Sequence, residues 1–212
     1  MIEQNFIDAK NEEFWNTITH FAGLILAIIG TPFLFFYNTH TSSLSIFSLC
    51  LFSVGLLLVY GSSTTYHRVS GINLKRKLQI LDHISIFYLI LGSYAPVCLI
   101  TLYDYSGLLI FSAVLIIAII GTILKIFYTG RLEFLFLFFY LATGWLILID
   151  IETLFEIINT KAKVLLMAGG VSYSVGMLFY AFDKIKFFHS IWHMFVLFGS
   201  IFHYTMILIY II

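Results

Sequence analysis

Residues 43–68 read SLSIFSLCLFSVGLLLVYGSSTTYHR, and this stretch decides how the chain is understood. Ser43–Tyr66 is mostly apolar and carries no Asp, Glu, Lys or Arg. It is long enough for a bilayer-spanning helix, which needs about 20 such residues. It then closes on Ser63-Thr64-Thr65-Tyr66-His67, a polar run at the point where a membrane helix meets its boundary.

Six further stretches follow the same pattern: Thr17–Tyr37, Ile80–Leu102, Ser106–Phe127, Leu132–Ile149, Ala162–Phe182 and Phe188–Ile211. The whole chain has 212 residues, of which 61% are hydrophobic and 10% charged. Its mean hydropathy of +1.02 is too high for a soluble domain. With short connections, the expected fold is an all-α integral membrane protein, one seven-helix bundle over 1–212 preceded by a short N-terminal segment, 1–16. That segment holds Glu3, Asp8, Glu12 and Glu13 against Lys10, which is unlike the basic start of a signal peptide. Net charge is zero, so nothing points to nucleic acid, and Cys50 and Cys98 fall inside spans as small packing residues rather than a disulfide framework.

Lys and Arg set the expected orientation. With the N-terminus in the cytoplasm, Lys10, Arg68, Lys75, Arg76, Lys77, Lys125, Arg131, Lys184 and Lys186 fall inside. Only Lys161 and Lys163 fall outside, a contrast of nine against two that predicts N-in and C-out. Pro32 and Pro96 lie inside spans, where each frees a carbonyl and permits a bend. Gly169, Gly170, Ser172, Ser174 and Gly176 suit close packing of the sixth span, and Trp15 and Trp192 suit the cytoplasmic interface.

This orientation brings polar residues from three spans to one depth. The second span ends at Ser63 and His67, the third opens at Asp82-His83, and the seventh opens at His189 and His193. On a helix, residues four apart project from one face about 6 Å apart, so His189 and His193 can both reach one zinc ion. His67 would complete a three-histidine set with a fourth position open for water. Ser63 lies one turn before His67 on the same face, and Asp82 could act as a general base. Taken singly, a histidine pair near an interface is polar decoration, Asp82 a first-turn acid, and Ser63 a hydroxyl bonded to its own helix. Convergence from three helices favours the site, as does the cost of ionisable groups inside a membrane. Glu13, Asn16 and His20 share one face of the first helix and, by themselves, read first as a polar lead-in to the span. His203 lies about 15 Å deeper than His193 by helix rise and cannot join them; His83 and His40 read as structural.

At these residues the chain resembles the hemolysin III family, the bacterial branch of the progestin and adiponectin receptor (PAQR) superfamily. The matching pieces are Glu13-x-x-Asn16-x-x-Thr19-His20, Ser63-x-x-x-His67, Asp82-His83 through Gly92-Ser93-Tyr94-Ala95-Pro96, and His189-x-x-x-His193 followed by Gly199 and His203. They occur in order across nearly the whole length. The resemblance implies seven helices in a bacterial inner membrane with the N-terminus cytoplasmic. It also implies zinc on His67, His189 and His193, with Asp82 and Ser63 as catalytic neighbours and Glu13, Asn16 and His20 supporting the ligands. Receptor-type relatives are linked to hydrolysis of ceramide-type amides, whereas the bacterial members are named for a haemolytic, pore-forming activity. The expectations are therefore a zinc-dependent hydrolase of a lipid amide or ester with membrane lipids as partners, or alternatively a cytolytic pore-former, or a receptor-like zinc protein without turnover. Mid-span residues form no acidic ring for a pore, and the seventh span has no lysine for a retinal Schiff base.

Overall fold

The computed structural model describes residues 2–212, with side chains from Asn11 onward; the charges of Glu3, Asp8 and Lys10 therefore lie outside the described side chains. The helices are α1 (Ile2–Tyr37), α2 (Ser43–Arg68), α3 (Ile72–Pro96), α4 (Gly107–Tyr128), α5 (Glu133–Gly144), α6 (Ile151–Ile157), α7 (Thr160–Ala181) and α8 (Phe188–Met206). Among the described residues they supply seven segments long and apolar enough to cross a membrane, because α5 and α6 form one span, Glu133–Ile157. Large apolar side chains such as Phe36, Leu109, Phe127 and Phe138 are exposed around the bundle, the surface that lipid requires.

Three element boundaries differ from expectation. The first helix starts well before Thr17, since α1 runs from Ile2 through Pro32 to Tyr37 and its apolar span is Asn11–Tyr37. The third span begins at Ile72 rather than Ile80, so Lys75, Arg76 and Lys77 sit on its first turns instead of in a loop. The fifth span is not the continuous helix 132–149. It breaks after Gly144, passes through a 3₁₀ turn at Leu146–Asp150 and continues as α6.

The break has a tertiary cause. The Tyr94 phenol of α3 donates to Gly144 O at 2.9 Å and accepts from the Ile147 N–H at 2.9 Å, replacing bonds the helix has lost. Trp145 Nε1 donates to Ser174 Oγ on α7 at 2.9 Å. A broken backbone inside a membrane is tolerated when another element satisfies its polar groups in this way. At Pro96, which has no N–H to donate, α3 passes into a π-helical turn over Val97–Thr101.

α2 and α3 pack with their backbones in contact. A Cβ at Gly55 would lie 2.6 Å from Tyr88 O, and one at Gly92 would lie 2.7 Å from Leu51 O. Gly92→Ala therefore has to push two backbones apart. We expect it to lower stability by about 1–3 kcal/mol, the usual cost of overpacking. Gly61→Ala, whose new methyl meets only Leu24 Cδ1 at 3.9 Å, should be tolerated. Thermal unfolding in detergent checks the pair, and equal melting temperatures would contradict the close approach.

The small residues of α7 do the same work against α8. A Cβ at Gly169 would meet His203 Cδ2 at 2.2 Å, and one at Gly176 would meet Phe195 Cβ at 2.7 Å. Trp192 departs from the interfacial reading: it is 7% exposed and packs against Tyr180, with ring centroids 5.4 Å apart. Trp15, by contrast, is 51% exposed. Cys50 and Cys98 are both free thiols.

Candidate metal centre

The C-terminal turn of α2 carries His67, and the first turns of α8 carry His189 and His193. One ring nitrogen from each lies within 4.8 Å of the other two. The ring centroids form a nearly regular triangle, with sides of 5.1 Å, 5.0 Å and 4.6 Å. The Nε2 atoms of His67 and His189 are buried and have no hydrogen-bond partner among the described residues. Leaving a buried polar atom unsatisfied costs on the order of 1–3 kcal/mol, and two facing one centre need a common partner. Three convergent imidazoles are the donor set that suits zinc, so the residues present fit that ion.

The opposite ring nitrogens are held from α1. His67 Nδ1 lies 2.6 Å from Glu13 Oε2, and Glu13 Oε1 accepts from Lys75 Nζ at 2.6 Å. A carboxylate on Nδ1 fixes the imidazole's tautomer and ring direction, leaving Nε2 as the free donor atom. His193 Nδ1 lies 3.3 Å from both Asn16 O and Thr19 Oγ1. Asn16 Oδ1 in turn accepts from Ser190 Oγ at 2.5 Å, tying α1 to α8. His20 is buried and packs on His193 with ring centroids 3.7 Å apart. All of Glu13, Asn16 and His20 thus touch the cluster. Thr19 joins them; only its place beside His20 in the shared motif marked it.

Ser63 and Asp82 are buried at 1% and 9% exposure and line the cavity that His189 and His193 also line. The Asp82 carboxylate lies beside the Ser63 hydroxyl and within electrostatic range of His67. Neither belongs to the three-histidine group. His203 is apart from it, with Nε2 3.4 Å from Leu166 O, and His40 Nε2 meets Ile211 O at 3.0 Å near the opposite end. Lys125, counted as a boundary charge in the orientation argument, is fully buried. It donates to Glu133 Oε2 at 2.7 Å and contacts His83 Nδ1 at 3.0 Å. A lysine inside an apolar span was the available signal, since such charges are costly unless paired.

Two cavities meet at the cluster. One, of about 90 Å³, runs into the bundle from His20, Ser63 and Asp82 past Leu89, Met177 and Val196. The other, of about 330 Å³, is more open and polar, with Glu13, Asn16, His67, Glu133 and Asp183 in its wall. His83, Tyr180 and His189 line both and form the neck between them. An apolar chamber and a more polar vestibule thus meet beside the three imidazoles.

Comparison with known proteins points to one family. A family described as "Haemolysin-III related" matches residues 9–204. The "Hemolysin-3 homolog" of Bacillus subtilis (strain 168) is 39% identical over 200 residues, covering 94% of each chain. "Hemolysin-3" of Bacillus cereus is 36% identical over 202 residues, covering 95% of this chain and 92% of that one. The human "Monocyte to macrophage differentiation factor" is 28% identical over 199 residues, covering 89% of this chain and 80% of its own. No solved structure matches.

Proposed function

The chain belongs to the haemolysin-III related family of multi-pass membrane proteins, and from that premise we propose that it is a zinc-dependent hydrolase of an amide or ester bond in a membrane lipid. The observation that carries this reading is the histidine trio, two of its nitrogens buried without partners, at the junction of an apolar chamber and a polar vestibule. His67, His189 and His193 would hold the ion through one nitrogen each. When bound, zinc supplies Lewis acidity toward a carbonyl oxygen and lowers the pKa of water from about 15.7 toward about 7.

The chain's own residues do the rest. Asp82 accepts a proton at its carboxylate and returns it to the leaving amine or alcohol. Ser63 Oγ–H donates to the carbonyl oxygen as negative charge develops there. Glu13 holds His67 through Nδ1, and Asn16 and Thr19 hold His193. The apolar chamber takes the acyl chain and excludes water behind the reacting bond. With the N-terminus in the cytoplasm, the vestibule opens at the cytoplasmic headgroup level, where water and the polar product exchange.

Glu13→Gln keeps the shape of the side chain but removes its charge from His67 and Lys75. We expect zinc affinity to fall about 10–100-fold, the usual effect of losing a carboxylate behind a histidine ligand. Competition with a calibrated chelator measures it, and unchanged affinity would mean that Glu13 serves the fold alone.

The direct test of turnover uses purified protein in nanodiscs, zinc-loaded or chelator-stripped, incubated with an N-acyl sphingoid lipid and a diacyl ester lipid. Fatty acid released only by the zinc-loaded protein is the expected result. Stoichiometric zinc with no release from either lipid would sink the hydrolase and leave a zinc protein without turnover. A second reading comes from the names of the Bacillus relatives, which describe them as hemolysins. A standing aqueous pore needs a polar path, and the chamber behind the histidines is walled by Leu89, Met177 and Val196 instead.

A further inference from the structure

His83 is a group the mechanism above does not use, yet it lines both cavities at their neck. Its surroundings fix its state. Lys125 Nζ lies 3.0 Å from His83 Nδ1 and 2.7 Å from Glu133 Oε2, with the ammonium 4.0 Å from the Phe136 ring centroid. The ammonium is fully buried and paired to a carboxylate, so it is charged and can only donate. His83 Nδ1 must therefore accept. Glu133 Oε2 is 3.8 Å from the same nitrogen, too far to compete for it as a hydrogen-bond acceptor. A neutral imidazole that accepts at one nitrogen carries its proton on the other.

His83 Nε2 makes no hydrogen bond among the described residues, and the backbone next to it is held in place, since Tyr140 Oη donates to His83 O at 2.8 Å. Tyr180 also lines both cavities, its ring centroid 6.4 Å from that of His83 and 5.8 Å from that of His189. The phenol likewise forms no hydrogen bond among the described residues. Two residues with an uncommitted donor group thus line the neck beside His189.

We propose that the buried Lys125–Glu133 pair locks His83 in its Nε2–H tautomer and presents it, with Tyr180, as a fixed hydrogen-bond donor for the acceptor oxygen of a lipid's polar linkage at the neck. The proposal rests on the lipid-carbonyl reading of the site and extends it. His83 and Tyr180 select a substrate that offers a carbonyl oxygen at that point, and Lys125 is a positioning residue that acts through His83. A compact, donor-only charge on a flexible stem suits the task of forcing the tautomer. No proton is transferred in this role, and the ring stays neutral.

Two measurements test it. The first is ¹⁵N NMR of protein labelled at histidine, with the His83 signal assigned by its loss in His83→Gln. Wild type should show an unprotonated Nδ1 and a protonated Nε2, and Lys125→Met should release the mixture of both forms. A protonated Nδ1 in wild type overturns the proposal whether or not the protein hydrolyses anything. If Lys125→Met fails to fold, the wild-type spectrum decides alone.

The second measurement titrates zinc-free protein with a fluorescent-chain N-acyl sphingoid lipid and with its reduced amine counterpart, which lacks the carbonyl. His83→Phe and Tyr180→Phe should each weaken the amide probe about five- to tenfold, the worth of one hydrogen bond, and leave the amine unchanged. His83→Gln, which keeps an N–H donor, should recover most of the loss. Equal weakening of both probes marks a structural role and overturns the proposal, as does failure of wild type to prefer the amide. A locked tautomer and carbonyl preference without any turnover would refute the hydrolase alone.

Discussion

His193→Ala should purify as a folded protein that no longer retains zinc, against about one ion per chain in wild type. His193 is 2% exposed and sits on the first turns of α8, with Nδ1 against the α1 backbone. Its loss leaves two imidazoles where three converge. The consequence for stability is large, because an ion that binds only the folded state stabilises it by mass action. At zinc concentrations a thousandfold above the dissociation constant this amounts to about 4.1 kcal/mol. Zinc should therefore raise the melting temperature of wild type and leave that of His193→Ala unmoved. His203→Ala is the matched control, a second histidine of α8 that bonds Leu166 O away from the trio. It should keep its zinc. Equal zinc retention in both variants would remove His193 from the ligand set.

Asp82→Asn should retain zinc and lose turnover by about 10²–10⁴-fold, the range contributed by a positioned general acid–base group. The substitution keeps volume and hydrogen-bonding shape while abolishing the carboxylate's ability to take a proton. Asp82 belongs to the cavity wall and not to the three-histidine group, so metal content and activity should separate cleanly. Loss of zinc along with activity would recast Asp82 as a fourth ligand. Full activity in the variant would place the base elsewhere.

The seven spans were legible because each is a long apolar run, and the seven segments of the structure fall on the same stretches. The meeting of His67, His189 and His193 was legible for a different reason. Four-residue spacing puts two of them on one face of α8, and topology returns the end of α2 to the same depth. What escaped the sequence is tertiary. The break after Gly144 depends on a Tyr94 hydroxyl about fifty residues away, and no local propensity encodes it. Trp192 looks like an interfacial anchor until Tyr180 covers it. Lys125 looks like a boundary charge until Glu133 and His83 enclose it. In each case a polar or amphipathic residue took its role from a partner on another helix, and pattern along one chain cannot identify that partner.

The zinc X-ray absorption spectrum of wild-type protein, purified without chelator, tests the central claim most directly. The account predicts about one zinc per chain, with imidazole nitrogen at about 2.0–2.1 Å and three histidines in the shell. Folded protein with no bound metal, or zinc in a shell that survives the combined loss of His67 and His193, would contradict it.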